Sequence, residues 1–259
     1  MVPVALTIAG SDPSGGAGIQ ADLKTFHRFG VYGEAVITLV TVQNTVRVSR
    51  VEVLPPQVVV EQIQAVLEDI PPAAAKTGAL GSPAVARAVA RAAADFRFPL
   101  VVDPVMISKH GLPLLPEDAI RTVRDELLPR AALLTPNVPE AEALAGFAIR
   151  GLDEMRRAAE RILAMGPRAV LIKGGHLDGD AVDALWDGVS WREFPALRIA
   201  TRHTHGTGCT YSAAIAAHLA AGHVLADAVE RSKRFVQEAI RTNPGLGHGS
   251  GPVNHWARD

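Results

Sequence analysis

The 259-residue chain has one cysteine, five lysines and no apolar run longer than five residues. A single thiol forms neither an internal disulfide nor a multi-thiolate metal site, which fits a reducing, cytoplasmic setting. The longest apolar run, 213–217, is far short of the roughly 18 residues that a membrane-spanning helix requires. No Lys or Arg precedes Lys24, so the basic start of a secretory signal is missing. Acidic and basic residues nearly cancel, 27 against 26, which removes the broad cationic field of a nucleic-acid or membrane-surface binder. Any anion must be held locally. Also lacking are a Gly-x-x-x-x-Gly-Lys-Ser/Thr loop, a Gly-x-Ser-x-Gly elbow and any zinc-type spacing, which removes support for P-loop, serine-hydrolase and zinc-hydrolase readings.

Hydrophobic residues supply 48% of the chain and charged residues 20%, enough apolar material to offset the entropy of ordering. Length and the absence of a linker predict one domain over 1–259. Apolar runs at 3–9, 35–41, 100–103, 132–135 and 169–173 are expected as buried strands. Apolar residues three and four apart predict helices over 19–29, 57–69, 83–95, 117–128 and 153–165, with Pro83 and Pro116 in first turns. Helices over 208–221 and 225–241 close the chain, separated by Gly222. A hairpin, 184–186 and 191–194, turns on Asp187-Gly188. This alternation predicts an α/β fold of three layers, a mostly parallel sheet flanked by helices.

In such sheets ligands bind beyond the carboxyl ends of the strands, so residues that end a strand and open a helix carry the information. Five places qualify. The first, Gly10-Ser11-Asp12-Pro13-Ser14-Gly15-Gly16-Ala17-Gly18, contains Gly16-x-Gly18-x-x-Ala21. That matches a dinucleotide fingerprint, but the acid expected at the end of the second strand is replaced by Gln43 and Asn44, and the glycines lie too far past the strand. An NAD-dependent oxidoreductase is therefore disfavoured. The second, His205-Gly206-Thr207-Gly208-Cys209-Thr210, opens a helix. Gly206, Thr207 and Gly208 form either a plain turn or an anion cradle at a positive helix end. Cys209 falls in the first turn, where a thiolate is favoured.

Asp103, in Val102-Asp103-Pro104, ends one strand, and Thr135-Pro136-Asn137-Val138-Pro139-Glu140 follows another. Asn137 is expected to cap the next helix, placing Glu140 at its third position. Glu140 either completes that cap or joins Asp103 in a magnesium site on nucleotide phosphates. Lys173, before Gly174-Gly175-His176, ends an apolar run, where it contacts phosphate or snorkels to solvent. His176, His203, His218, His223 and His255 attract no comparable argument.

Together these blocks resemble the ribokinase-like superfamily and, within it, the bacterial hydroxymethylpyrimidine/phosphomethylpyrimidine kinases of thiamine biosynthesis. The blocks are residues 5–25, Val42-Gln43-Asn44-Thr45, Asp103-Pro104-Val105-Met106, Thr135-Pro136-Asn137, Lys173-Gly174-Gly175-His176, 205–210 and Gly247-His248-Gly249. The resemblance implies ATP and Mg²⁺ as cofactors, a homodimer, and 4-amino-5-hydroxymethyl-2-methylpyrimidine and its monophosphate as substrates. It also implies that Gln43, Asp22, Gly10, Ala17 and Val105 bind the pyrimidine, Gln43 matching an aminopyrimidine edge because it both donates and accepts. Lys173, Asn137, Gly206 and Gly208 would then hold ATP. Catalysis would fall to Cys209, Gly206, Thr207, Gly208 and Lys173, with Cys209 the candidate general base. Two departures stand out. Ala79 replaces a family methionine, which is expected to widen the pocket, and the 106–111 loop varies, with His110 either touching nucleotide or lying on the surface. A pyridoxal/pyridoxine kinase is the nearest rival, and a non-catalytic pyrimidine-binding protein is the alternative from another class.

Overall fold

The computed structural model describes residues 2–106 and 117–258. The expected roles of Pro116 and His110 lie outside the described residues. A nine-stranded sheet runs in the order β3-β2-β1-β4-β5-β6-β7-β8-β9. Its parallel centre consists of β2 (Tyr32–Gln43), β1 (Val4–Ser11), β4 (Ala74–Thr77), β5 (Leu100–Val102), β6 (Leu133–Leu134) and β7 (Val170–Ile172). At the edges β3 (Val48–Val53), β8 (Asp183–Trp186) and β9 (Trp191–Phe194) pair antiparallel.

Strand side chains alternate between the two faces, and the two halves of the core follow from that alternation. Leu6, Ile8, Leu100, Val102, Leu134, Val170 and Ile172 join one cluster, under α2 (Pro56–Asp69), α3 (Pro83–Ala92), α4 (Glu117–Thr122), α5 (Val138–Ala145) and α6 (Leu152–Leu163). Ala5, Val101, Leu133 and Leu171 join the other, under α1 (Gly18–Arg28), α7 (Thr207–Ala220) and α8 (Leu225–Arg241). Helices α6 and α8 are apolar on one stripe. Helix α7 is apolar nearly all round and almost wholly buried, with Ala213 to Ala217 inside, as expected of a helix sandwiched between a sheet and another helix.

Several boundaries differ from expectation. Strands β3 and β4 were not predicted. The segment 83–95 ends its α-helix at Ala92 and finishes in a 3₁₀ turn, and 117–128 passes into a π turn at Val123–Leu127. No described helix is long and apolar enough to cross a membrane.

Candidate active site

A cavity of about 650 Å³ opens at the carboxyl ends of the parallel strands. Its walls are built by the segments that follow β1, β2, β4, β5, β6 and β7 and by the start of α7. Gly10, Ala17, Gln43, Val105, Asp103, Asn137, Glu140, Lys173, Gly206, Thr207, Gly208 and Cys209 all line it. All twelve are candidate site residues of the sequence analysis, and the topology collects them from positions far apart in sequence. Asp22 does not line it.

The floor is the first turn of α7. Gly206 caps this helix with φ +78°, and a Cβ there would stand 1.7 Å from the Gly16 carbonyl oxygen; only glycine fits. Unlike Gly206, Gly208 has an ordinary helical backbone. A Cβ on it would project between the Lys173 Nζ, at 3.4 Å, and the Asp103 Oδ2, at 3.6 Å. The first amides of a helix have no intrahelical acceptor and carry partial positive charge, so this gap has a cation and a helix start on two sides and the Asp103 carboxylate on the third.

Lys173 donates to Asp103 Oδ1 at 3.0 Å. Burial works against its charge, yet Asp103 and Glu140 hold it above the usual lysine range, so it is an ammonium at neutral pH. It is therefore not merely snorkelling: its partner within the chain is a carboxylate. Asn137 and Glu140 form the expected capping box, with Asn137 Oδ1 accepting from the Glu140 amide at 2.9 Å and Glu140 Oε2 accepting from the Asn137 amide at 2.8 Å. The cap leaves the Asn137 NH₂ for a ligand. Burial pushes the Glu140 carboxyl up to about 7, Lys173 opposing and Asp103 adding to it. Two buried carboxylates thus share one ammonium, a local excess of negative charge that an added cation would relieve. Among the described residues no group of three or more His, Cys, Asp or Glu is placed to hold a metal by itself. A two-carboxylate set completed by phosphates is, however, the usual magnesium arrangement, and Asp103 with Glu140 fits it.

Two expectations are corrected here. Cys209 was expected as a thiolate at a helix start. Instead burial pushes its thiol up to about 11, although Lys76 and the Gly18 amide act the other way. Loss of solvent around the sulfur outweighs the helix end, although the residue still lines the cavity. Asp22 was expected to contact the ring, against the plainer reading of an exposed helical acid. It does neither. Its side chain is fully buried, and its Oδ2 accepts from Lys76 Nζ at 3.0 Å and Thr7 Oγ1 at 2.6 Å. Lys76, itself fully buried, is held protonated by Asp22, with Asp103 adding to it, despite the cost of burial. The pair lies beneath the floor and supports it.

Residues outside the nominated set also shape the cavity. Asp12 and His205 are both buried and pair at 2.7 Å. Asp12 also accepts from the amide and hydroxyl of Ser14 and from the Ala17 amide, fixing the glycine loop after β1. Burial opposes its ionisation, but the bonds from His205 and Ser14 hold it below the usual carboxylate range. The C-terminal segment closes this side: the Gly249 and Ser250 amides donate to Thr45, and the Val253 amide donates to the His205 carbonyl. At the opposite end, Asp183 binds Lys233 at 2.7 Å beside Leu197, Val236 and Ile240. A lysine inside the apolar run of β4 was the sequence signal for the Lys76 pair. Nothing local announced His205 or Asp183.

A model of the phosphomethylpyrimidine kinase family matches residues 12–254. The chain belongs to this family. A phosphomethylpyrimidine kinase relative, the hydroxymethylpyrimidine/phosphomethylpyrimidine kinase of Bacillus subtilis, is 46% identical over 98% of this chain and 94% of its own. The thiamine biosynthesis bifunctional protein ThiED of Geobacter sulfurreducens is 48% identical over 96% of the chain, which spans about half of that longer protein, 51%. Among solved structures, the ADP complex of Bacillus subtilis pyridoxal kinase superposes with a TM-score of 0.91 at 36% identity, covering 99% of this chain and 98% of that one. The family thus shares the ribokinase-like fold expected from sequence.

Proposed function

We propose that this chain is an ATP-dependent kinase that phosphorylates 4-amino-5-hydroxymethyl-2-methylpyrimidine and then converts the monophosphate to the diphosphate, for thiamine biosynthesis. Family membership supports the reading, and the gap between Lys173, Asp103 and the first turn of α7 is the structural observation that carries it. In the first step the hydroxymethyl oxygen forms a bond to the γ-phosphorus, the bond from that phosphorus to the β–γ bridging oxygen breaks, ADP leaves, and the alcohol proton passes through the transferred phosphoryl oxygens to water. Such transfer depends chiefly on positioning and charge stabilisation. Lys173 and the amides of Gly206, Gly208 and Cys209 supply it at the phosphoryl group, while the Thr207 amide donates to the Thr204 carbonyl and holds the turn. Because the Cys209 thiol keeps its proton, we assign Cys209 to the anion hole rather than to a standing base. Gln43, Gly10, Ala17 and Val105 enclose the ring, while Asn137 and Lys173 face the nucleotide. Asp103 and Glu140 would hold Mg²⁺, which neutralises phosphate charge when bound.

Pyridoxal kinase is the second reading, favoured by the TM-score of 0.91 and by the small Ala79 on the cavity wall. One domain, a cytoplasmic location and a homodimer complete the proposal. Val40 and Val42, exposed on one face of β2, with Val46 in the turn beyond it, provide an apolar surface for a second copy. An ATP-consumption assay with the pyrimidine and pyridoxal side by side, products identified by mass, tests the activity. A pyrimidine diphosphate supports the kinase proposed. Phosphorylated pyridoxal alone favours the second reading, and no ATP turnover leaves a non-catalytic pyrimidine-binding protein.

A further inference from the structure

His205 has no role in the reaction as described, yet it stands where the Gln43 amide is fixed. Its Nε2 lies 2.7 Å from Asp12 Oδ2 and 3.2 Å from Nε2, the nitrogen end of the Gln43 amide. One ring nitrogen has one hydrogen or one lone pair, so it cannot donate to the first group and accept from the second. Asp12 decides between them. All its other partners, the Ser14 amide and hydroxyl and the Ala17 amide, are donors, so Asp12 is an acceptor-only carboxylate. The hydrogen therefore sits on His205 Nε2 and points at Asp12. A ring N–H tolerates only an oxygen beside it, and the two ends of a glutamine amide exchange by a half-turn. A half-turn of the Gln43 amide from the orientation in which its nitrogen meets His205 relieves this conflict: it brings Oε1 to the ring N–H and turns the NH₂ to the cavity that Gln43 lines.

We infer that His205, anchored by Asp12, is a positioning residue that sets the Gln43 amide, so that the site presents a hydrogen-bond donor to the ring of its substrate and selects an edge carrying an acceptor. The inference rests on the proposed pyrimidine kinase reading, in which a ring nitrogen is that acceptor, and deepens it by naming what chooses the ring.

A double-mutant cycle in the full-length protein separates positioning from direct contact. His205→Phe removes the donor at similar size, Gln43→Leu removes the amide, and the pair is combined; KM and kcat for hydroxymethylpyrimidine and the melting temperature are measured for each. His205→Phe is expected to raise KM about tenfold, the worth of one oriented hydrogen bond, with kcat changed much less. In the Gln43→Leu background it is expected to add nothing. His205→Gln, whose NH₂ can serve Asp12 and the Gln43 oxygen together, is expected to restore KM. If the His205→Phe penalty persists undiminished beside Gln43→Leu, or KM is unchanged in His205→Phe, the inference is overturned. Should His205→Phe fail to fold, Gln43→Glu, which keeps the shape and loses the donor, is read instead: a tenfold rise in KM supports the inference and an unchanged KM overturns it. A wild-type protein that phosphorylates no pyrimidine would overturn the functional reading and this inference with it, whereas additive penalties in an active enzyme overturn the inference alone.

Discussion

Gly208→Ala separates folding from phosphate binding at a single atom. Gly208 is the second residue of α7 and has no positive φ, so alanine is compatible with its backbone and gains up to about 1 kcal/mol of helix propensity. For a chain of this size that corresponds to a melting temperature raised by up to about 3 °C. The new methyl meets the Lys173 Nζ at 3.4 Å and the Asp103 Oδ2 at 3.6 Å, both ordinary contacts, so nothing is forced apart. It does fill the gap in which a phosphate oxygen would lie. Loss of one preorganised anion-binding position costs about 10²- to 10³-fold in rate, and that drop in kcat/KM is expected. Coupled ADP release together with a thermal melt reads both quantities in one preparation. A variant as stable as wild type that keeps kcat/KM within about threefold would refute the reasoning, because the loss expected at a working cradle is far larger.

Cys209→Ala is expected to lower kcat by less than about tenfold, whereas a general base contributes about 10²- to 10⁴-fold; steady-state rates decide, and a loss in the larger range would restore the base assignment. Lys76→Met strands the buried Asp22 carboxylate and is expected to cost about 3–5 kcal/mol in urea unfolding, most of it recovered by Asp22→Asn in the same chain; a loss below about 1 kcal/mol would show that the pair is not structural. Glu140 has its folded value raised from 4.5 to about 7. Its contribution to stability is therefore full below the unfolded value and lost as pH rises through the folded one. In the ligand-free protein Glu140→Gln is expected to flatten the decline in stability across that window, measured as urea midpoints. Glu34, also pushed up to about 7 by burial and Asp69, keeps part of the slope.

Strand ends were the most legible part of the sequence, because an apolar run that stops at Asp103 or Lys173 and meets a glycine or proline marks both the sheet and the cavity. The Asn137–Glu140 cap was equally plain, since it depends on residues three apart. Strand β4 was hidden by its composition: Ala74-Ala75-Lys76-Thr77 has little β-branched character, and its lysine is tolerable only because Asp22, 54 positions away, is buried against it. That same distant partner removed Asp22 from the cavity. At Cys209 the helix start is visible in sequence, whereas the desolvation that raises its thiol is not. His205 and Asp12 sit inside legible motifs, but their pairing spans 193 positions, and only the fold brings them together.

A crystal structure with a non-hydrolysable ATP analogue tests the account most directly. The terminal phosphate is expected within about 3 Å of amide nitrogens in the first turn of α7, with Lys173 on its other side. A well-ordered triphosphate lying elsewhere, with that turn untouched, would contradict the account.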